Sequence, residues 1–332
     1  MKAAVIGSGG WGTALAIALH RNGHDTVLWS HNSQKAEAVE QSRENPMLPG
    51  IPLPDGLKVT GDDGCVAGRK LVVIASPSVH IRSVCRRVAP HLDRDAVMVS
   101  VTKGIEQDTF LRMSQIVEEE THRPVVALTG PSHAEEVARQ IPTGCLAACA
   151  DKALAEMVQD AFMSNTFRIY TSPDVVGAEL GGATKNVIAI CAGAIDGLGY
   201  GDNTLAMLMT RGLTEIARLG MAMGANKDTF AGLAGIGDLI VTCTSMHSRN
   251  RRAGILIGQG KDAQTAMQEV GAVVEGYYAA KSAYELGQRQ GISMPITEAA
   301  YKVLYEGMDV KQAFAGLLNR ARKAESEDAG WL

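Results

Sequence analysis

The feature that most constrains this fold is a short apolar run at the start of the chain that leads directly into clustered glycines. Residues 3–21 read AAVIGSGGWGTALAIALHR, and Gly7, Gly9 and Gly12 form the pattern G-x-G-x-x-G between a predicted strand and a predicted helix. In a dinucleotide-binding unit the first glycine permits the tight turn, the second lets the backbone approach a pyrophosphate, and the third allows close packing of helix on strand. The N–H groups at the helix start then face the anion. The alternative is a glycine-rich turn without a ligand.

The residues after the second predicted strand, Thr26–Trp29, bear on the choice of dinucleotide. In NAD-binding proteins of this type an acidic residue at the end of that strand binds the ribose 2′-hydroxyl. Here Ser30, His31 and Asn32 follow the strand, and the first carboxylate is Glu37. Because nothing there repels a 2′-phosphate, we expect NADP to be tolerated or preferred. The alternative is that these are ordinary polar turn residues.

Over residues 1–177, short apolar strand patterns alternate with helical ones. Strands that are apolar throughout and separated by helices build mostly parallel sheets covered on both faces, so we predict a doubly wound Rossmann-type α/β domain. The predicted strands are Ala3–Gly7, Thr26–Trp29, Lys58–Thr60, Leu71–Ala75, Ala96–Val101, Val125–Leu128, Gly144–Cys149 and Phe167–Tyr170. The helical segments between them include Gly12–Arg21, Val79–Val88, Phe110–Glu119 and Lys152–Met163.

Over residues 178–332 the strand signals almost vanish and helical spacing takes over. Pro295 suits a first helical position, and glycines punctuate the predicted helix ends. We therefore predict an all-α second domain packed directly on the first, which makes the chain a two-domain α+β protein. The predicted helices are Leu205–Met223, Arg252–Ile257, Gly276–Glu285, Pro295–Tyr305 and Val310–Arg320.

Composition excludes several classes of protein. The 332 residues carry a net charge of −4, whereas phosphate backbones select strongly basic surfaces, so we expect no nucleic-acid partner. The longest apolar run is about half of what a membrane span needs, and the N-terminus lacks a signal-peptide pattern. The six cysteines form no CxxC pair and have no nearby histidine ligand, which predicts reduced, mostly buried thiols and no metal site. We expect a cytoplasmic protein without membrane insertion.

Polar residues that follow predicted strands are candidates for a site, because ligands of open α/β sheets gather at the carboxyl ends of the strands. Lys103 follows Ala96–Val101, and residues 130–133, Gly-Pro-Ser-His, follow Val125–Leu128. Ser76-Pro77-Ser78 follows the fourth strand in the same way. Alternatively, Lys103 is a solvated surface group and His133 a residue at a helix start.

The helical half contains three further candidates. Lys185 borders a long apolar helix, where it either snorkels out of a core or lies in a cleft. Asp238 is the sole charge in the stretch GLAGIGDLIVTCTS and either caps a helix or partners a buried cation. Ser248, Arg249 and Asn250 precede further arginines at a helix start, which makes either a phosphate site or a solvated basic turn.

Nine blocks of sequence, in order and spread over nearly the whole chain, resemble the soluble NAD(P)-dependent sn-glycerol-3-phosphate dehydrogenases of bacteria. The blocks are GSGGWGTALA, LPGI, SVTKGIE, ALTGPSHAEEVA, ELGGATKNVIAI, GLAGIGDLIVTC, SRNRR, VVEGYYAAK and MPITEAAYKVLY. The resemblance implies reversible reduction of dihydroxyacetone phosphate to sn-glycerol 3-phosphate with NAD(P)H, which supplies phospholipid synthesis. Gly10 stands where the family commonly has serine and Met47 where it commonly has an aromatic residue, so a hydroxyl and a stacking contact are in question there.

The resemblance also implies roles for individual residues, with Lys185 as the general acid/base. Substrate contacts are expected from Lys103, Gly130, Ser132, Lys185, Asp238, Ser248, Arg249 and Asn250. Beyond the glycine pattern, cofactor contacts are expected from Gly10, Trp11, His31, Lys103, Ala134, Arg249, Val273 and Glu275. Desolvation and Lys103 would lower the pKa of Lys185, whereas Asp238 and the substrate phosphate would raise it.

Two other functions fit parts of the pattern. A hydroxyacid or sugar-acid dehydrogenase of the same plan would bind a carboxylate, and arginine serves both anions. A non-catalytic cofactor sensor would keep the glycine loop but could lose Lys185 and Asp238, which are both present. Exposed apolar faces on the helical domain would be compatible with a homodimer.

Overall fold

The computed structural model describes residues 1–322 and 324–325 and contains one eight-stranded sheet. All eight predicted strands are present, each with ends within two residues of the prediction. The strands are β1 (Lys2–Ile6), β2 (Asp25–Trp29), β3 (Lys58–Thr60), β4 (Leu71–Ile74), β5 (Val97–Ser100), β6 (Val125–Thr129), β7 (Thr143–Ala148) and β8 (Phe167–Ser172). The central strands are apolar runs buried on both faces, whereas the edge strands β3 and β8 each expose part of their length.

The strand order is β3-β2-β1-β4-β5-β6-β7-β8, and the β6–β7 pair is antiparallel whereas the other neighbouring pairs are parallel. The chain moves outward from β1 to β3 and then returns to place β4 on the other side of β1. Such a reversal opens a crevice at the carboxyl ends of the strands, where open α/β sheets bind ligands. Separate apolar clusters cover the two faces of the sheet, which confirms the predicted doubly wound class.

Six helices belong to the α/β half of the chain. They are α1 (Gly10–Arg21), α2 (Ser33–Ser42), α3 (Ile81–Val88), α4 (Met113–Thr121), α5 (Ala134–Ala138) and α6 (Lys152–Phe162). The predicted helix Phe110–Glu119 was wrong at its start, since Phe110 has a positive φ of 61° and lies in the preceding loop. That side chain packs in an apolar cluster with Leu180 and Leu286 of the helical half.

Nine α-helices and a short π-helix, Leu233–Gly237, form the second half of the described chain. The α-helices are α7 (Val175–Gly197), α8 (Asp202–Ala222), α9 (Lys227–Phe230), α10 (Asp238–Thr244), α11 (Arg249–Gly258), α12 (Ala263–Val270), α13 (Glu275–Arg289), α14 (Pro295–Glu306) and α15 (Val310–Leu318). The predicted change to an all-α architecture is confirmed. The predicted boundary between residues 177 and 178 falls in the first turn of α7 and stays a prediction, and the predicted end at residue 332 lies outside the described residues.

Helix α7 is the central element of the helical half and is buried along most of its length. By length and composition it is the one unbroken helix of the described residues that could cross a membrane, but other helices enclose it. Gly254 of α11 lies against the backbone of α7, where any side chain would overlap the Ile190 carbonyl oxygen. This close approach brings the first turn of α11 beside Asn186, in the middle of α7.

Buried polar contacts join the two halves. The Glu179 carboxylate on α7 accepts hydrogen bonds from the Ser114 N–H (2.7 Å) and hydroxyl (2.6 Å) at the start of α4, and it pairs with Arg112. The Ser282 hydroxyl on α13 donates to the Ile105 carbonyl at 3.1 Å. The loop that carries Lys103 therefore packs directly on the helical domain, as the sequence predicts for domains without a linker.

Candidate active site

Two lysines converge on one buried carboxylate where the two halves meet. Asp238, the first residue of α10, is 1% exposed, and Lys185 in the middle of α7 is 4% exposed. Lys185 Nζ donates to Asp238 Oδ1 and to the Thr242 hydroxyl at 2.5 Å. Lys103 Nζ, on the loop after β5, donates to Asp238 Oδ2 at 2.7 Å and to the Gly130 carbonyl at 3.0 Å. Asp238 thus partners buried cations, which decides between the two interpretations of its sequence context.

The electrostatics of this cluster favour proton exchange at Lys185. Burial lowers the pKa of Lys185, the attraction of Asp238 opposes that fall, and the charge of Lys103 adds to it, so that the pKa is about 8. Burial works to raise the pKa of Asp238, but the two ammonium groups outweigh it and hold the pKa below its usual range. The carboxylate therefore stays ionised, and the lysine can gain or lose a proton near neutral pH.

The first turn of α11 extends the cluster on its helical side. Asn250 Nδ2 donates to Asn186 Oδ1 at 2.9 Å, and Asn250 Oδ1 accepts from the Gly276 N–H at 2.8 Å. The buried Ser248 hydroxyl caps α11 by accepting the Arg251 N–H at 3.1 Å. Arg249, the first residue of α11, is exposed, and its charge opposes the rise that burial causes in the pKa of Glu275. Arg249 therefore lies at an exposed helix start, and the anion site there stays a prediction.

The loop after β6 closes the other side of the cluster. The Ser132 hydroxyl donates to the Gly130 carbonyl at 3.0 Å, the same oxygen that accepts from Lys103. Gly130 has a φ of 142°, a conformation that side chains rarely adopt, and a Cβ there would lie 3.0 Å from the Cys145 backbone. His133 directly precedes α5, as one of its sequence interpretations predicts, and burial lowers its pKa. Its ring contacts that of His247 with centroids 5.5 Å apart.

The glycine loop after β1 has the form of an anion cradle. Gly7 turns the chain with a φ of 126°, and a side chain at Gly12 would overlap the Gly7 carbonyl oxygen. A Cβ at Gly9 would meet no atom within 4 Å, so the backbone there is open to a ligand. Gly9 precedes α1 without any side-chain cap. The N-terminal N–H groups of α1 are therefore not satisfied by a capping side chain, and they fit the pyrophosphate of a dinucleotide.

The other predicted cofactor residues differ in burial and position. Trp11 in α1 and Ala134 in α5 are half-buried, and a Cβ at Gly10 would lie 3.6 Å from the Ala134 side chain. His31 is exposed directly after β2. Val273 is half-buried in the turn before α13.

Glu275, the first residue of α13, reaches across to the α/β half. Its carboxylate accepts the Ser78 N–H at 3.1 Å and the Ser78 hydroxyl at 2.5 Å. Burial raises the pKa of Glu275, while these hydrogen bonds counteract the rise. This contact joins the loop after β4 to the helical domain at the predicted cofactor site.

The structure thus brings five of the predicted substrate residues into one cluster, namely Lys103, Gly130, Ser132, Lys185 and Asp238. Asn250 is linked to Asn186, which follows Lys185 in α7, and Ser248 and Arg249 lie in the same turn as Asn250. The roles of these residues, and those of the cofactor residues, stay predictions.

The sequence predicted no site role for Thr242 or Asn186, which both contact predicted site residues. Thr242 could have been found, because it lies four residues after Asp238 and shares a helix face with it. Ser78 was a candidate because it follows the fourth strand, but its contact with Glu275 depends on the packing of the two domains.

Within the described residues, no group of three or more His, Cys, Asp or Glu side chains is placed to hold a metal ion. The six cysteines are free, and four of them are buried, as the sequence predicts.

Known proteins resemble this chain over both of its halves. Residues 2–155 match the family model for the N-terminus of NAD-dependent glycerol-3-phosphate dehydrogenase, and residues 174–315 match that for its C-terminus. The chain is 50% identical to glycerol-3-phosphate dehydrogenase [NAD(P)+] of Desulfitobacterium hafniense (strain Y51), with 100% of this chain and 95% of the relative covered. It is 51% identical to the enzyme of that name from Pelotomaculum thermopropionicum, with 98% and 95% covered. The crystal structure of glycerol-3-phosphate dehydrogenase from Coxiella burnetii superposes with a TM-score of 0.92 at 36% identity and covers 96% of this chain and 99% of that one.

Proposed function

The chain belongs to the NAD-dependent glycerol-3-phosphate dehydrogenase family, and we propose that it interconverts dihydroxyacetone phosphate and sn-glycerol 3-phosphate with NAD(P)H. The observation that carries the chemistry is the buried ammonium of Lys185, held between Asp238 and Thr242 at the junction of the domains. Reduction of a ketone needs a proton donor at the carbonyl oxygen and stabilisation of the negative charge that develops there. An ammonium whose pKa is about 8 serves both needs.

In ketone reduction, Lys185 donates a hydrogen bond to the carbonyl oxygen and then transfers a proton to it. In alcohol oxidation the neutral amine accepts the hydroxyl proton, which its lowered pKa allows near neutral pH. Asp238 holds the amine in place through both steps, and Lys103 adds a second positive charge beside the reacting oxygen. A bound NAD(P)H supplies the hydride.

The substrate phosphate is assigned to the first turn of α11. Arg249 supplies an exposed guanidinium there, and the helix dipole adds a favourable partial charge. Ser248 and Asn250 are buried on either side of it, where they shape the site rather than carry charge. A hydroxyacid dehydrogenase would place a carboxylate at this point, so a requirement for the phosphate distinguishes the two activities.

The cofactor is assigned to the glycine loop and to the residues around it. The pyrophosphate would lie at Gly9 and the start of α1, and Glu275 would face the cofactor from the helical domain. Ser30, His31 and Asn32 leave no carboxylate at the end of β2, so use of NADPH as well as NADH is expected.

The test of the activity is the initial rate of NADH and NADPH oxidation with dihydroxyacetone phosphate, with dihydroxyacetone as the control substrate. Turnover should require the phosphate. Lys185→Met should lower kcat by about 10²–10⁴-fold while the dissociation constant for NADPH stays near the wild-type value. Lys70→Met, which removes a lysine that pairs with Asp95 away from the site, is the control and should retain wild-type turnover. Turnover near the wild-type rate in Lys185→Met would remove this lysine from the acid/base role.

The phosphate assignment has its own matched pair of variants. Arg249→Ala should raise KM for dihydroxyacetone phosphate by about 10–100-fold, the value of a charge-assisted hydrogen bond, with a smaller effect on kcat. Arg252→Ala removes another exposed arginine, three residues further along the same helix, and should leave KM unchanged. An equal effect of both variants would refute a specific role for Arg249.

We further propose a cytoplasmic enzyme that supplies glycerol 3-phosphate for phospholipid synthesis, acts on a small phosphorylated substrate and has no nucleic-acid partner. The net charge of −4 supports the absence of a nucleic-acid partner. Exposed apolar side chains on the helical domain, among them Met207 and Met221 of α8 and Ile240 of α10, support a homodimer. Light scattering coupled to size exclusion tests the oligomeric state, and a monomer mass at assay concentrations would contradict it.

A further inference from the structure

A buried asparagine outside the predicted site holds the glycine loop in place. The loop between α2 and β3 passes over the start of α1, and we call its residues 45–50 the strap. Asn45 in the strap is 2% exposed. Its Nδ2 donates to the Ser8 carbonyl at 2.9 Å and to the Thr13 hydroxyl at 2.7 Å, and its Oδ1 accepts the Met47 N–H at 3.0 Å. Both N–H donors of this amide, and its oxygen, therefore have partners inside the protein.

The bond to Ser8 fixes the orientation of one peptide group in the anion cradle. In a planar trans peptide the C=O and the following N–H point in opposite directions. Because the Ser8 carbonyl points to Asn45, the Gly9 N–H points away from the strap, and Gly9 has open space around its Cα. If this peptide were free to turn over, it would present a carbonyl oxygen in place of an N–H. An anion would then meet a negative partial charge where it needs a donor.

The bond to Thr13 ties the same amide to the first turn of α1. Thr13 is fully buried, and its backbone N–H closes the first turn by donating to the Gly9 carbonyl at 2.9 Å. The two donors of Asn45 thus reach the residues on either side of the segment from Gly9 to Gly12. That segment carries the N–H groups that no capping side chain satisfies.

The strap is itself held close to the loop. Leu48 is buried in the apolar cluster of the α/β half, and its N–H donates to the Asn45 carbonyl at 2.8 Å. A Cβ at Gly10 would lie 2.8 Å from the Met47 carbonyl oxygen. Gly10 and Met47 are therefore neighbours, and the absence of a side chain at residue 10 lets the strap lie on α1.

We propose that Asn45 is a positioning residue for the dinucleotide, which acts through the Ser8 carbonyl and the Thr13 hydroxyl to preset the N–H groups of the glycine loop. The proposal rests on the proposed function, because it takes the loop to bind the cofactor pyrophosphate. It assigns Asn45 to cofactor affinity alone, since the cluster around Lys185 receives no contact from the strap among the described hydrogen bonds.

The experiment compares Asn45→Ala with a matched control at the other end of α1. Asn22 also donates two hydrogen bonds from its Nδ2, to the Ala161 carbonyl at 2.9 Å and the Met163 carbonyl at 3.2 Å. Each variant is measured for its thermal midpoint, its Kd for NADPH by fluorescence titration, and its kcat and KM for dihydroxyacetone phosphate at saturating NADPH. We expect Asn45→Ala to raise Kd by roughly tenfold or more, with kcat and KM for the ketone within about twofold of wild type. Asn22→Ala should lower the thermal midpoint comparably and leave Kd unchanged.

Thr13→Val keeps the shape of the side chain and removes only the hydroxyl that accepts from Asn45, so it serves if Asn45→Ala does not fold. It should raise Kd by a smaller factor in the same direction. An unchanged Kd in a folded Asn45→Ala or Thr13→Val variant overturns the proposal, as does an equal rise in Asn22→Ala. If the wild-type protein itself binds neither NADH nor NADPH, the proposed function fails first, and that result is distinct from a failure of Asn45.

Discussion

Replacement of Asp238 by asparagine tests whether the carboxylate sets the protonation state of Lys185. The substitution keeps the shape of the side chain and one oxygen acceptor, but it removes the charge that lies between Lys185 and Lys103. The buried ammonium of Lys185 and the half-buried ammonium of Lys103 then lie close together without a counter-ion. Both the lost attraction and the remaining repulsion disfavour protonated Lys185, so the pKa of this lysine must fall below its wild-type value of about 8.

The magnitude can be worked out from the direct ion pair between Asp238 and Lys185. Opposite charges about 4 Å apart attract by about 4 kcal/mol at an effective dielectric constant near 20. Because asparagine retains a hydrogen-bond acceptor, we count half of this, about 2 kcal/mol, which is roughly a 30-fold loss in the proton affinity of Lys185. The pH profile of the variant should therefore move to lower pH by about 1.5 pH units. Wild-type Lys185 is mostly protonated at pH 7, and in the variant it is mostly neutral.

The assay is the initial rate in both directions between pH 5.5 and 9.5 at saturating substrates. Ketone reduction needs the ammonium, so its rate should fall as pH rises through about 8 in the wild type and at lower pH in Asp238→Asn. Alcohol oxidation needs the neutral amine, so its rate should rise over the same intervals. Asp174→Asn is the control, because Asp174 caps α7 and contacts the Thr229 hydroxyl but neither lysine. If folded Asp238→Asn kept both wild-type profiles, the carboxylate would not set the charge on Lys185.

Other contacts give further predictions. Gly9→Ala should leave the thermal midpoint unchanged, because a Cβ there meets no protein atom within 4 Å. It should weaken NADPH binding in a fluorescence titration, because the added methyl group would lie where the backbone approaches the pyrophosphate. Gly12→Ala should lower both stability and NADPH binding, since its Cβ overlaps the Gly7 carbonyl oxygen, and an unchanged midpoint would contradict this close packing. Glu179→Gln should cost about 3–5 kcal/mol in urea unfolding, because it leaves Arg112 without its buried counter-ion between the domains, and a loss below about 1 kcal/mol would contradict the estimate.

The strands were predictable because their signal is local. Most of the eight are short apolar runs that the sheet buries, and apolar, β-branched composition indicates burial directly. Helix α2 gives a much weaker signal, since only Ala36 and Val39 among its ten residues are buried. The antiparallel pairing of β6 with β7 depends on how the intervening chain reverses, and no feature of either strand encodes it.

Individual residues of the candidate site could be named from the sequence, but the contacts between them could not. Lys103 and Asp238 are 135 residues apart, and the loop and the helix that carry them meet only through the packing of the two domains. Thr242 contributes through its position on the same helix face as Asp238. Asn45 has no comparable signal, because a polar residue in a polar loop becomes distinctive only through contacts with residues more than thirty positions away.

The pairing of Lys185 with Asp238 is easier to predict from the sequence than the contacts of Asn45, but harder than the strands. A charge within an apolar stretch will be buried, and a buried charge is stable only when an opposite charge or a set of hydrogen bonds compensates it. Lys185 and Asp238 both lie in such stretches of the helical half, and they have opposite signs. Their pairing can therefore be argued from the amino-acid sequence alone. Lys103 cannot be included by that argument, since it follows a strand in a loop, where solvent would satisfy it equally well. Lys103 lies in the α/β half and pairs with the Asp238 carboxylate of the helical half. The candidate site is therefore complete only when the two domains are packed together.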